Sequence, residues 1–233
     1  IKYNMKFLMV RKRTLCIILV SVILTFSIVG VFYAVRMTSS PKAQYTIVVD
    51  AGHGGKDGGA VGKETAVTES YLNLQYSLVL KNLCEQYGFK VVLTRSDMNG
   101  LYSPFASNKK KSEMEKRKQI IENADTDMVV SIHMNSYSSS QSRGAQVFYA
   151  DGSENGQFLA EQVQTSLNKN IEYAKKTAKV GDFYILNCTE KPSILIECGF
   201  LSNSEEEVLL QDENYMHDFC YNVLCGILLY FSF

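Results

Sequence analysis

Two periodicities of apolar and polar positions run along most of the chain. Short β-branched runs such as YTIVVD and MVVSIH predict buried strands. Segments with apolar residues three or four positions apart predict amphipathic helices. The predicted strands are Tyr45–Asp50, Lys90–Thr94, Met128–His133, Ala145–Tyr149 and Ser193–Glu197, and the predicted helices are Thr68–Gln86, Ser112–Asn123, Asn155–Asn170 and Glu213–Tyr230.

The order of these elements predicts the fold class. Strands that alternate with helices are typical of an α/β domain with a largely parallel, twisted sheet flanked by helices. A chain of 233 residues is long enough for one well-buried domain, and two domains would be cramped. We therefore assign residues 45–233 to a single domain.

The amino-terminal segment has a different pattern. Thr14–Val35 contains no charged residue and is about as long as a helix that crosses a hydrocarbon core of about 30 Å. Basic residues precede it, so residues 1–36 are predicted to form a short cytoplasmic stub and a transmembrane anchor. The positive-inside rule then puts everything after Arg36, including the 37–44 linker, outside. A cleaved signal peptide is the alternative, although the run is long for one and no A-x-A site follows. Both place the domain outside the cytoplasm.

Net charge and cysteine spacing exclude several classes of protein. The formal charge is zero, so the basic excess of a nucleic-acid-binding protein is missing. The six cysteines form no C-x-x-C pair, which argues against a cysteine-based zinc site. One of them, Cys16, lies in the apolar segment. The odd number that remains argues against a disulfide framework and predicts buried, reduced thiols.

Two of the three histidines follow predicted strands. His53 lies in DAGHGG after the first strand, and His133 ends the strand in SIHMNS. The carboxyl ends of parallel strands form the ligand-binding edge of an open α/β sheet, so the two imidazoles could converge there. Imidazole is a common zinc ligand, and this predicts a metal site. His217 lies in the amphipathic terminal helix, where we expect it to be structural or merely exposed.

A catalytic zinc takes three protein ligands and water, so a carboxylate should complete the set. Candidates near His53 are Asp50, Asp57, Glu64 and Glu69. Glu69 lies in the first turn of a helix that its apolar neighbours bury, which would hold its carboxylate still. Helix capping is the alternative role for Glu69, and Glu64, in a loop, is the competing ligand.

Glu197 is the best candidate for a proton-transferring group. It ends the apolar run SILIE, where a charged residue is costly unless it borders solvent or a metal. A carboxylate near a metal-bound water can take its proton and pass it to a leaving amine. Ordinary exposure at a strand end is the alternative. The glycine-rich loop of residues 52–62 matches neither the P-loop nor the dinucleotide-binding fingerprint.

Six motifs lie along the chain between residues 48 and 203: VVDAGHGGKDGGAVG (48–62), ESYLNL (69–74), VVLTRSD (91–97), SIHMNS (131–136), GAQVFY (144–149) and ILIECGFLSN (194–203). Together they resemble the zinc-dependent N-acetylmuramoyl-L-alanine amidases of the cell-wall type, and most closely their spore-cortex, germination-specific branch. The resemblance implies that His53, Glu69 and His133 bind zinc and that Glu197 assists catalysis.

The resemblance also implies a substrate and a cellular setting. The substrate is peptidoglycan, cleaved between the muramic lactyl group and L-alanine of the stem peptide, so that muramic-δ-lactam can form in the spore cortex. The expected location is the forespore intermembrane space, and an activating protein partner is one possibility. A zinc peptidase of the stem peptide and a catalytically silent peptidoglycan-binding protein are the alternative functions.

Overall fold

The computed structural model describes residues 14, 17–27, 45–174 and 176–232. Residues 17–27 are helical and exposed. The predicted anchor at Thr14–Val35 is described only at residues 14 and 17–27, and the whole 37–44 linker lies outside the described residues. Within the described residues, no helix has the length and apolar character needed to cross a bilayer.

Residues 45–232 form an α/β domain around a six-stranded sheet. The strands lie in the order β2-β1-β3-β6-β4-β5. The ranges are β1 (Thr46–Ala51), α1 (Glu69–Gln86), β2 (Lys90–Leu93), α2 (Lys109–Asn123), β3 (Met128–Asn135), β4 (Gln146–Tyr149), α3 (Glu154–Asn170), β5 (Lys179–Val180), a 3₁₀ helix (Tyr184–Asn187), β6 (Ser193–Phe200), α4 (Ser204–Leu209) and α5 (Glu213–Phe231).

The centre of the sheet is parallel, as predicted. β2, β1, β3 and β6 run in one direction, whereas β4 pairs antiparallel with β6. The carboxyl ends of β1, β3 and β6 therefore share one edge of the sheet. His133 and Glu197 are register partners on β3 and β6 at that edge.

Helices cover both faces of the sheet, which explains the near-continuous apolar runs of the central strands. In β1, Ile47 and Val49 point into the larger core, which α1, α3 and α5 complete. Val48 points to the opposite side, where it packs in a smaller core with Ile121 of α2 and Ile185 of the 3₁₀ helix. Burial on both faces fixes β1, and the loop that follows it starts from a rigid strand end.

The predicted strands and helices are confirmed, with differences at their ends. α2 begins at Lys109 rather than Ser112, because the Asn108 side chain accepts a hydrogen bond from the Lys111 N–H at 2.9 Å and starts the helix earlier. α4, β5 and the 3₁₀ helix were not predicted. The domain cysteines are free thiols, four of them buried and Cys225 half-buried, and Cys16 lies outside the described residues.

Candidate metal centre

The loop after β1 takes an unusual backbone path. His53 has φ 59°, in the left-handed region that non-glycine residues rarely adopt. Such a conformation persists when the surroundings fix it. Here the surroundings are two buried arginines.

Arg95 and Arg117 bind the carbonyl groups of this loop. Arg95 donates to the Ala51 and Gly52 carbonyls at 3.0 and 2.8 Å. Arg117 donates to the His53 carbonyl at 2.6 Å. Arg117 also forms buried ion pairs with Asp50 and Glu113, and these interactions keep its pKa above the usual value despite its burial. The position of His53 thus depends on charges below the loop.

Glu69, the first residue of α1, is held by backbone groups on two sides. Its Oε2 accepts a hydrogen bond from the Ala60 N–H at 2.8 Å, and its Oε1 accepts one from the Met134 N–H at 3.2 Å. Gly59, at φ 67°, lies so close that a Cβ there would overlap Oε2. The carboxylate therefore has one well-defined position between the loop and β3.

His53, Glu69 and His133 come together at the carboxyl edge of the sheet. Glu69 Oε1 lies 3.1 Å from His53 Nε2 and 2.9 Å from His133 Nδ1. One ligand atom from each of the three residues lies within 4.8 Å of the others. Two imidazoles and a carboxylate are a donor set that suits zinc.

The electrostatics of this cluster favour a bound positive charge. Burial lowers the pKa of His53, but the contacts with Glu69 and Asp57 outweigh it and raise the pKa to about 9. Burial opposes the ionisation of Glu69, yet the two histidines hold its pKa far below the usual value. Since protons and metal ions compete for these atoms, a site that binds protons so well fits a cation.

The other carboxylates near His53 do not join the cluster. Asp57 Oδ2 lies 2.9 Å from His53 Nδ1, on the ring edge away from Glu69. Asp50 is buried beneath the loop, where it accepts hydrogen bonds from Thr94 and Ser131. Glu64 is exposed. His217, also exposed, lies in α5 as expected and contacts Asp218 at 3.7 Å.

Glu197 lies beside the cluster on β6. Its Oε2 is buried and has no hydrogen-bond partner in the described structure. Burial raises the pKa of Glu197 to about 7, with the Glu69 charge adding to the effect and His133 opposing it. A carboxyl group with that pKa takes up and releases protons readily near neutral pH.

Glu207 holds the glycine-rich loop, and the sequence pattern did not reveal it. Its carboxylate is fully buried and accepts hydrogen bonds from the N–H groups of Lys63, Glu64 and Thr65 at 2.7–3.2 Å. These donors outweigh the effect of burial and lower its pKa. The sequence signal is the acidic run SEEE after Asn203, which is typical of a solvated helix start.

A cavity of about 760 Å³ opens over the cluster of His53, Glu69 and His133. Its floor includes His53 and His133, one wall is the start of α2, and the other is the segment with Phe183 and Tyr184. A cleft of this size lies within the usual volume range of ligand-binding sites.

Gly52 offers a test of how closely the site is packed. A Cβ at this position would overlap the His133 ring, so we expect Gly52→Ala to displace that imidazole. Losses of about 10–100-fold in metal affinity are typical when support of a ligand is removed. Chelator competition measures the affinity. Gly58→Ala is the control, because the atom nearest to a Cβ at this position, in the Thr68 side chain, lies 3.7 Å away. Equal metal affinities for the two variants would contradict this packing argument.

The fold and the site together define a class: an α/β protein with a two-histidine, one-carboxylate cluster at the carboxyl ends of parallel strands. A family model described as N-acetylmuramoyl-L-alanine amidase (Amidase_3) matches residues 47–228. The chain belongs to the N-acetylmuramoyl-L-alanine amidase family. The resemblance seen in the sequence motifs is confirmed.

Individual relatives cover the same region. The germination-specific N-acetylmuramoyl-L-alanine amidase of Bacillus subtilis (strain 168) is 31% identical over 198 residues, which is 83% of each chain. The CwlD amidase from Clostridioides difficile, solved in complex with the GerS lipoprotein, is 37% identical, with a TM-score of 0.78 over 81% of this chain and 99% of that one. The catalytic domain of CwlV from Bacillus (Paenibacillus) polymyxa is 31% identical, with a TM-score of 0.72 over 81% and 99%.

Proposed function

We propose that this protein is an N-acetylmuramoyl-L-alanine amidase that hydrolyses the amide bond between the muramic lactyl group and L-alanine in peptidoglycan. The observation that carries the proposal is the His53–Glu69–His133 cluster with Glu197 beside it. The family match over residues 47–228 supports the same reaction.

Zinc is the cofactor in this proposal, and His53, Glu69 and His133 are its ligands. When bound, the metal supplies Lewis acidity to the amide carbonyl and a more acidic water molecule. The protein fixes two of the three donors before binding, through Arg117 on the loop carbonyl of His53 and the Ala60 N–H on Glu69. Preorganisation of this kind lowers the cost of forming the site.

Glu197 is the proposed proton carrier. Its unpartnered Oε2 can accept a proton from the attacking water and then donate it to the departing alanine nitrogen. Both transfers are needed, because an amine leaves poorly as an anion. The pKa of about 7 suits both directions.

We further propose that this reaction serves the spore cortex, where removal of the peptide allows muramic-δ-lactam formation. The likeness to the germination-specific amidase of Bacillus subtilis supports this placement. The domain would then act outside the cytoplasm, tethered by the amino-terminal apolar segment. A protein partner belongs to the proposal as well, because the relative from Clostridioides difficile was solved with a lipoprotein.

Digestion of purified peptidoglycan tests the proposed reaction directly. We expect free amino groups of L-alanine to appear in step with peptide-free muramic acid residues, and chelation of the metal to stop both. New amino groups elsewhere in the stem peptide would instead indicate a peptidase. Binding to the polymer with no bond cleaved, in a metal-loaded sample, would favour the silent binding protein.

A further inference from the structure

The start of α2 has a charge distribution that does not favour the helix. Lys109, Lys110 and Lys111 occupy its first turn, and no acidic residue is present there. The amino end of a helix carries a partial positive charge, so cations in the first turn are unfavourable. The interaction of these lysines with the helix dipole therefore does not stabilise α2.

The lysines of α2 divide into two groups by the face they occupy. Lys111 and Lys118 lie outside the cavity, and each pairs with the glutamate one turn later, at 3.9 and 3.7 Å. Lys109 and Lys110 line the cavity over the metal cluster. Within the part of the chain that the structure describes, neither forms an ion pair. Lys116 lies outside the cavity and also forms no ion pair among these residues, so two of the three unpaired charges lie on the face that a substrate would meet.

A third lysine approaches the same space from the glycine-rich loop. Lys56 is exposed, lines the cavity and donates its backbone N–H to the Tyr102 hydroxyl at 3.3 Å. The Tyr102 ring also lies 5.2 Å from the Lys109 ammonium, a distance typical of a cation–π contact. Lys56, Lys109 and Lys110 form what we call the lysine rim.

The protein does not neutralise the lysine rim with its own acids. Asp50 and Glu113 also line the cavity, but both contact Arg117. Asp57 contacts His53, and Lys110 acts on the Asp57 carboxyl only from beyond ion-pair distance, where it helps to lower the pKa of Asp57. Asp182, on the facing wall, is the remaining acidic residue among the described residues that line the cavity. The rim is therefore available to an anionic ligand.

We propose that the lysine rim binds free carboxylates of the stem peptide and so selects an anionic peptide as the leaving group. The inference rests on the proposed function, because it assumes that the scissile amide lies at the metal cluster. The sugar side of that bond is uncharged, whereas the peptide side carries free carboxylates. The rim lines the same cavity as His53 and His133, which favours a group of the bound substrate over a separate anionic wall polymer.

The double variant Lys109→Gln/Lys110→Gln tests this proposal, with Lys116→Gln/Lys118→Gln as the control. The control removes the same charge from α2 at positions that do not line the cavity. The substrate is a set of glycan strands with uncross-linked stem peptides, free of phosphate polymers. One half keeps its carboxylates, and the other half has them converted to methylamides. Initial rates give kcat and KM.

On strands with free carboxylates we expect the rim variant to raise KM about tenfold, the usual scale for losing charge-assisted contacts, and to leave kcat nearly unchanged. On methylamide strands, wild type and variant should have the same KM, and wild type should bind these strands more weakly. The control should match wild type on both. The melting temperature of the rim variant should not fall, because unfavourable charge leaves the first turn of α2.

Three results would overturn the proposal: equal KM values for wild type and rim variant on free carboxylates, equal KM values for wild type on both substrates, or the same loss in the rim variant on both substrates. A rim variant that melts several degrees lower would indicate a structural role instead. Failure of wild type to cleave either substrate at the lactyl–alanine bond would refute the proposed function itself.

Discussion

Glu197→Gln is expected to abolish turnover while leaving the metal in place. The amide keeps the size of the carboxyl group but cannot accept the proton of the attacking water. Loss of a general acid–base group lowers rates by about 10²–10⁴-fold. Metal content should not change, because Glu197 is not part of the three-residue cluster. Peptidoglycan hydrolysis and metal analysis on the same sample measure the two quantities.

Glu205→Gln provides the control for this prediction. Glu205 is an exposed carboxylate that forms an ion pair with Arg143 at 3.3 Å, away from the cluster. We expect the Glu205→Gln variant to keep full activity. A Glu197→Gln variant that keeps wild-type turnover would remove Glu197 from the reaction. Loss of metal together with activity would make it a supporting residue of the site instead.

Arg117→Met is expected to cause the largest loss of stability. Arg117 is 1% exposed and contacts Asp50, Glu113 and two loop carbonyl groups. Removing one partner from a buried ion pair costs about 3–5 kcal/mol, because the remaining charge stays buried and uncompensated. Urea denaturation measures the free energy of unfolding.

Lys118→Met, one position further along α2, is the matched control. Its contact with Glu122 at 3.7 Å is exposed, and such surface pairs contribute about 0–1 kcal/mol. The double variant Arg117→Met/Asp50→Asn should recover part of the loss, since it removes the unpaired carboxylate charge. Equal unfolding free energies for Arg117→Met and Lys118→Met would contradict the stabilising role of the buried ion pairs.

The sequence predicted the fold well because the strands are buried on both faces. A continuous apolar run such as that of β1 is too short for a core helix and too apolar for a surface loop, and glycine or polar segments separate such runs. α4 was missed because Ser204–Leu209 begins with four polar residues and is short. β5, with two exposed residues, has no apolar pattern to detect. Local patterns do not reveal elements that depend on contacts from elsewhere in the fold.

From the pattern alone, the site was most predictable where strand ends account for it. His53 and His133 follow buried strands, and the parallel sheet brings such positions together. Glu69 was favoured over Glu64 by its place in the first turn of a buried helix and by the resemblance, but the hydrogen bonds from Ala60 and Met134 that hold its carboxylate are encoded in no local pattern. The charges below the loop were missed for a similar reason. Arg117 has the pattern of one more basic residue in a charged, exposed helix, until the packing of α2 shows that it is buried.

The Glu207 contact with the glycine-rich loop affects when, during synthesis and folding, the site can be completed. Glu207 follows Lys63 by 144 positions in the sequence. Chains emerge amino end first during synthesis, so His53, Glu69 and His133 all appear well before the carboxylate that holds the segment from Lys63 to Thr65, between His53 and Glu69. Closing so long a segment is entropically costly until β6 and α4 are in place. The proposed metal site is therefore complete only late, which disfavours metal capture by a partly synthesised chain.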